Sequence, residues 1–134
     1  MIETTQKTID DVSFYLTQLG FREGKKALVR LTKIVGPGLS RVAMSAKDGD
    51  MKHIAVAIFE LTESLTEQDL DYFCEVFGAH TEIEDGHKRV RLNADIQNVI
   101  FAGRYDLMFK WLGACFEVNF GPLLRTMKSV VKNQ

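Results

Sequence analysis

The residues of this chain that could carry chemistry are few and scattered. Cys74 and Cys115 stand 41 positions apart, and His53, His80 and His87 are the only histidines. A compact zinc site takes its ligands in close Cys/His pairs, and none of these spacings supplies one. A thiol nucleophile needs a neighbouring base or cation to hold it as thiolate. Neither cysteine has such a local pattern, and both fall on apolar helical faces, where an inert buried thiol is expected. The glycines of Gly36-Pro37-Gly38 are not followed by the Gly-Lys-Ser/Thr that would cradle phosphate. These residues give no reason to expect an enzyme, a metal site or a cofactor.

What remains is charge. Lys and Arg number 17 against 18 Asp and Glu, a net charge of −1, so the average gives no pull toward nucleic acid or an anionic membrane. The average conceals a segregation. Nine acidic residues lie from Glu60 to Asp85, with no lysine or arginine between His53 and His87, and the flanking segments 1–52 and 88–134 are net basic. Arg22, Lys26, Arg30 and Lys33 recur at helical spacing with Lys25 beside them, making a basic stripe. Such a pattern either keeps a solvated surface soluble or steers a protein partner by complementary rims. About four phosphate contacts could also be drawn from the stripe. No glycine-rich recognition loop, zinc knuckle or aromatic ladder accompanies it, so nucleic acid is not an expected partner.

The elements that position these residues follow from periodicity. At 134 residues and 46% hydrophobic, one domain over 1–134 is expected. The N-terminal MIETTQKTIDD has no basic-then-apolar leader, and no run reaches the roughly 18 apolar residues of a membrane span, so a soluble, intracellular chain is expected. Residues 7–19 read as a hairpin around Asp10-Asp11, with Val12, Phe14 and Leu16 alternating. Residues 21–77 read as helices: Phe21 to Val35, a short one near Leu39–Met44, one at 53–65, and one from about 67 capped by Thr66 with Asp69 completing a capping box. Residues 80–92 form a second hairpin around Asp85-Gly86. The 94–131 region is helical again, capped by Asn93, bending at Gly103 and broken by Gly121-Pro122 before a last short helix. The expected fold class is mainly α (α+β), a single-domain helical bundle of about five to six helices with one or two small hairpins.

The stretch from Val99 to Gly121 is apolar around most of a helical circumference, apart from a stripe of Gly103, Asp106, Lys110, Gly113 and Glu117. Such a helix must be covered on several sides. Its interior reading places Trp111, Phe109 and Phe116 in the core. Its exterior reading makes Met108, with Leu123, Leu124 and Met127, the wall of a groove for an apolar partner segment, with Arg22, Lys26 and Arg30 at the rim.

The segment FAGRYDLMFKWLGACFEVNFGPLL, residues 101–124, resembles the closing motif of phage tail assembly chaperones: F-x-G-R, an apolar helix, then E-V-N-F-G. LGFREGKKALVRLTKIVGPGLS, residues 19–40, resembles their N-terminal pattern, and the two stand in the family's order. The matching positions are Phe101, Gly103, Arg104, Glu117, Asn119, Phe120 and Gly121. The resemblance implies a non-enzymatic factor that associates with the tape measure protein, and with the tail tube protein as a further partner, in the bacterial host cytoplasm. Some family members also exist in a longer, frameshifted form. The motif can equally mark fold-forming positions, with Asn119 terminating a helix and Arg104 pairing with an acid. A structural tail or head–tail connector protein and a small nucleic-acid-binding regulator are the alternatives, and homo-oligomerisation is left open.

Overall fold

The computed structural model describes residues 2–35 and 65–132. In chain order they form β1 (Thr4–Ile9), β2 (Val12–Thr17), α1 (Phe21–Val35), α2 (Glu67–Gly78), β3 (Thr81–Asp85), β4 (Lys88–Arg91), α3 (Ala94–Ile100) and α4 (Tyr105–Lys132). The helices expected near 39–44 and 53–65 lie outside the described residues.

The expected bundle of five to six helices is overturned. Both hairpins are present, but they merge into one antiparallel four-stranded sheet of order β1-β2-β3-β4, and the architecture is α+β. The joint is the pairing of β2 with β3, which sets Phe14 opposite Ile83 and Leu16 opposite Thr81. Paired residues share a face, so this register lines up the apolar side of both hairpins and makes one continuous surface to bury. Alternation in the sequence marks each strand separately and carries no information on which strand lies beside it.

The first hairpin turns at Asp10-Asp11, with Ile9 paired to Val12 and Asp10 in the left-handed region at φ 54°. Aspartate is among the few residues that tolerate this conformation. In the second hairpin Asp85 pairs with Lys88, so Gly86-His87 forms the loop, with Gly86 at φ 67°. The turn therefore sits one residue later than the Asp-Gly signal placed it. Thr66 and Asn93 cap α2 and α3 as expected, and Asp69 closes the capping box.

Helix α4 is the centre of the core. Leu107, Trp111, Leu112, Ala114, Cys115, Phe116 and Phe120 are all buried on it. One side meets the inner face of the sheet, where Ile9, Phe14, Leu16 and Ile83 are buried. On the other, the rings of Phe73 and Phe77 of α2 stand nearly perpendicular to that of Phe116, with centroids 5.1 and 5.4 Å away. Edge-to-face rings at these separations gain attraction beyond the area they bury. Trp111 is fully buried, with its ring centroid 5.4 Å from that of Phe101, and its indole N–H donates to Thr81 Oγ1 at 3.2 Å. The Thr81 hydroxyl in turn donates to the Phe77 carbonyl at 2.7 Å. The interior reading holds for Trp111 and Phe116, whereas Phe109 is only half-buried.

Pro122 does not break this helix. Helix α4 runs through it for 28 residues. A proline inside a helix has no N–H for the carbonyl four residues back, here that of Val118, and a buried carbonyl left alone is unfavourable. That carbonyl accepts instead from Gln18 Nε2 at 3.1 Å. The compensation comes from the link between β2 and α1, a hundred residues away in the chain, which is why the break expected from Gly121-Pro122 is absent. Gln18→Ala is accordingly expected to cost about 1–2 kcal/mol. In a Pro122→Ala background, where residue 122 regains an N–H, the cost falls to what the Glu3 N–H to Gln18 Oε1 bond contributes. A double-mutant cycle by urea unfolding reads this coupling, and strict additivity would reject the assignment.

Candidate binding surface

The motif at 101–121 is built into the fold at nearly every position. Phe101 is buried against Trp111, and Gly103 takes φ 73°, a left-handed turn between α3 and α4 that most side chains adopt only with strain. Arg104 opens α4 and its guanidinium donates to Asp11 Oδ1 at 2.7 Å in the first hairpin turn. The bond holds the Asp11 carboxyl below its ordinary range. Lys110 reaches Asp10 at 3.3 Å. At the far end of the buried run, Asn119 Oδ1 accepts from the Leu19 backbone N–H at 2.8 Å while its amide donates to the Cys115 carbonyl at 2.9 Å. Phe120 is buried against Phe116, and Gly121 is buried beside it. Asn119 is therefore not a helix terminator. It is a mid-helix clamp that, with Gln18, fixes where α1 begins. Glu117 is half-buried, and its Oε2 is buried with no hydrogen-bond partner among the described residues.

The residues expected to meet a partner are distributed differently. Arg22 and Lys26 are exposed on α1. Arg30 is half-buried: its Nε lies 2.8 Å from Asp69 Oδ1 of α2, and its guanidinium sits 4.6 Å from the centroid of the Tyr72 ring. Burial pushes the Asp69 carboxyl up, but the Thr66 backbone N–H, the Arg30 guanidinium and the Thr66 hydroxyl together outweigh it and hold the carboxyl below its ordinary range. Arg30 is thus a tether between α1 and α2. Met108 packs half-buried against the core, whereas Leu123 is 40% exposed. They stand fifteen positions apart on α4, about 22 Å along its axis. Leu124 and Met127 belong to α4, with side chains outside the described part of the structure.

Sequence reasoning missed the exposed apolar residues of α1. Phe21 is 81% and Val29 51% exposed. Phe21 overhangs a slot of about 240 Å³ between the start of α1 and Phe120 of α4, with Lys25 Nζ 5.3 Å from its ring centroid. The signal for Val29 was legible, since it falls between Lys26 and Lys33 on the basic stripe and away from Ala27, Leu31 and Ile34, the buried side of α1.

The thiols offer no nucleophile. Burial, with Asp71 adding to it, pushes Cys74 up to about 11, and complete burial pushes Cys115 well up as well, so both stay protonated at neutral pH. Among the described residues no group of three or more His, Cys, Asp or Glu side chains could hold a metal ion. Among them, too, no helix is long and apolar enough to cross a membrane.

The helix that carries the motif is thus fastened by polar bonds to the first hairpin and the link that follows it, beside a helix α1 that exposes hydrophobes among cations. The family model for the phage tail assembly chaperone protein, TAC, matches residues 10–130, and the chain belongs to that family. The resemblance carried by segments 19–40 and 101–124 is thereby confirmed. No curated protein and no solved structure matches the chain significantly.

Proposed function

We propose that this tail assembly chaperone binds the tape measure protein in the bacterial host cytoplasm and keeps it soluble until the tail tube forms around it. A long apolar chain aggregates if left uncovered, and a folded partner that lends apolar surface lowers that risk. The observation that carries the reading, beside membership of the family, is the strip of exposed Phe21 and Val29 on α1 interleaved with Lys25 and Lys26. Apolar side chains give contact area, and the cations set register and encounter rate.

Co-expression with the tape measure protein of the same phage tests this. The expected result is a soluble complex that elutes together, with the chaperone absent from purified particles. A tape measure protein equally insoluble with and without this chain rejects the proposal. Stoichiometric retention of the chain in virions would favour a structural tail role instead.

A further inference from the structure

Between α1 and α2 lies a groove of about 700 Å³ whose apolar lining comes from Val29, Ile34 and Tyr72 and whose rim carries Lys25, Lys26 and Lys33. We infer that this groove receives an acidic amphipathic helix of the partner. The inference rests on the chaperone reading above and names the surface and the kind of segment it takes.

The argument is one of charge and spacing. Two further residues line the groove, Arg30 and Asp69, and they neutralise one another at 2.8 Å. The Arg30–Asp69 pair also ties α1 to α2, so both walls are held in place before anything binds. Among the described residues three lysines of the lining remain with no carboxylate to match them, and neither Lys26 nor Lys33 has an ion-pair partner. Lys26 and Lys33 stand two helical turns apart, about 10 Å along α1, with Val29 between them on the same face. A helix laid along α1 matches this when an apolar side chain aims at Val29 and Tyr72 and a carboxylate lies about one turn to either side. A nucleic acid backbone fits less well. Its phosphates would meet the lysines but leave Val29 and Tyr72 uncovered, and would approach Asp69.

Labelled peptides tiling the tape measure protein of the same phage, titrated by fluorescence anisotropy into the full chain, test the assignment. Acidic amphipathic peptides are expected to bind, more weakly as salt rises. Val29→Asp and the double variant Lys26→Glu/Lys33→Glu are each expected to weaken them at least about tenfold, the scale of an interface hot spot. Peptides with Asp and Glu replaced by Lys are expected to regain affinity for the Glu-bearing double variant. All three positions are exposed, and unchanged helicity and melting would show that the variants fold. Equal peptide affinity for wild type and variants overturns the groove, as does binding of duplex DNA that the double variant loses while peptide binding is untouched. If wild type and variants all form the full-length complex equally well, the groove is wrong and the chaperone function stands. If wild type forms no complex with the tape measure protein, the functional reading itself falls.

Discussion

Replacing Trp111 with alanine is expected to destabilise the protein by about 3–5 kcal/mol, the usual cost of emptying a buried aromatic site. The side chain is fully buried in the second turn of α4, where its ring lies against Phe101 and its indole N–H is the donor to Thr81 Oγ1. Thr81 belongs to the sheet and Phe101 caps the end of α3 through a backbone bond to Gln97, so collapse into the vacated space is restricted. Thr81 keeps its own bond to the Phe77 carbonyl, so the loss is mainly of volume and contact. Trp111→Phe, which retains the ring contact with Phe101, is accordingly expected to cost less than half as much. Trp111 is the only tryptophan, so urea unfolding of both variants is followed by circular dichroism rather than intrinsic fluorescence. A loss below about 1.5 kcal/mol for the alanine variant would show that the site is not the packed centre described.

The sequence made Trp111 legible because an over-apolar helix must be covered, and the structure covers it with the sheet on one side and α2 on the other. The local signals were equally readable: the Thr66 capping box, the Asn93 cap and both hairpins are formed by residues within a few positions of one another. What failed were inferences whose deciding partner is distant. The hairpins became one sheet through Phe14 and Ile83, and helix α4 continued past Pro122 because Gln18 lends a donor to Val118. Neither effect has a local signature, so a proline in an apolar helix was read as a stop. The basic stripe divided in the same way. Its spacing placed Arg22, Lys26 and Lys33 outward, but only the fold brings Asp69 to Arg30 and turns that arginine from a candidate contact into a strut. The motif residues Arg104 and Asn119 likewise acquired their roles from Asp11 and Leu19, both in the N-terminal part of the chain.

Asn119→Ala is expected to cost about 2–3 kcal/mol, chiefly through a single orphaned donor. The Leu19 residue is buried, and its backbone N–H has the Asn119 side-chain oxygen as its acceptor at 2.8 Å. Removing the amide leaves that N–H unsatisfied where water enters poorly. The Cys115 carbonyl, which accepts from the Asn119 side chain, sits within a continuous helix and loses only a supplementary bond. Asn119→Asp separates the two contributions. Its carboxylate still accepts from Leu19, by a stronger charge-assisted bond, but it has no donor for Cys115 and opposes that carbonyl. The aspartate variant is therefore expected to retain more stability than the alanine variant at neutral pH, and not to converge on it in acid, where the neutral carboxyl still accepts from Leu19 and gains an O–H for the Cys115 carbonyl. Amide hydrogen exchange at Leu19 gives the residue-level readout: protection there should fall in Asn119→Ala by more than global destabilisation accounts for. Because Leu19 immediately precedes the turn into α1, the same loss should loosen the slot beneath Phe21, whose lining includes Asn119. If Leu19 exchange simply tracks global unfolding in the alanine variant, the clamp is not an independent tether, and the motif's asparagine acts only within its own helix.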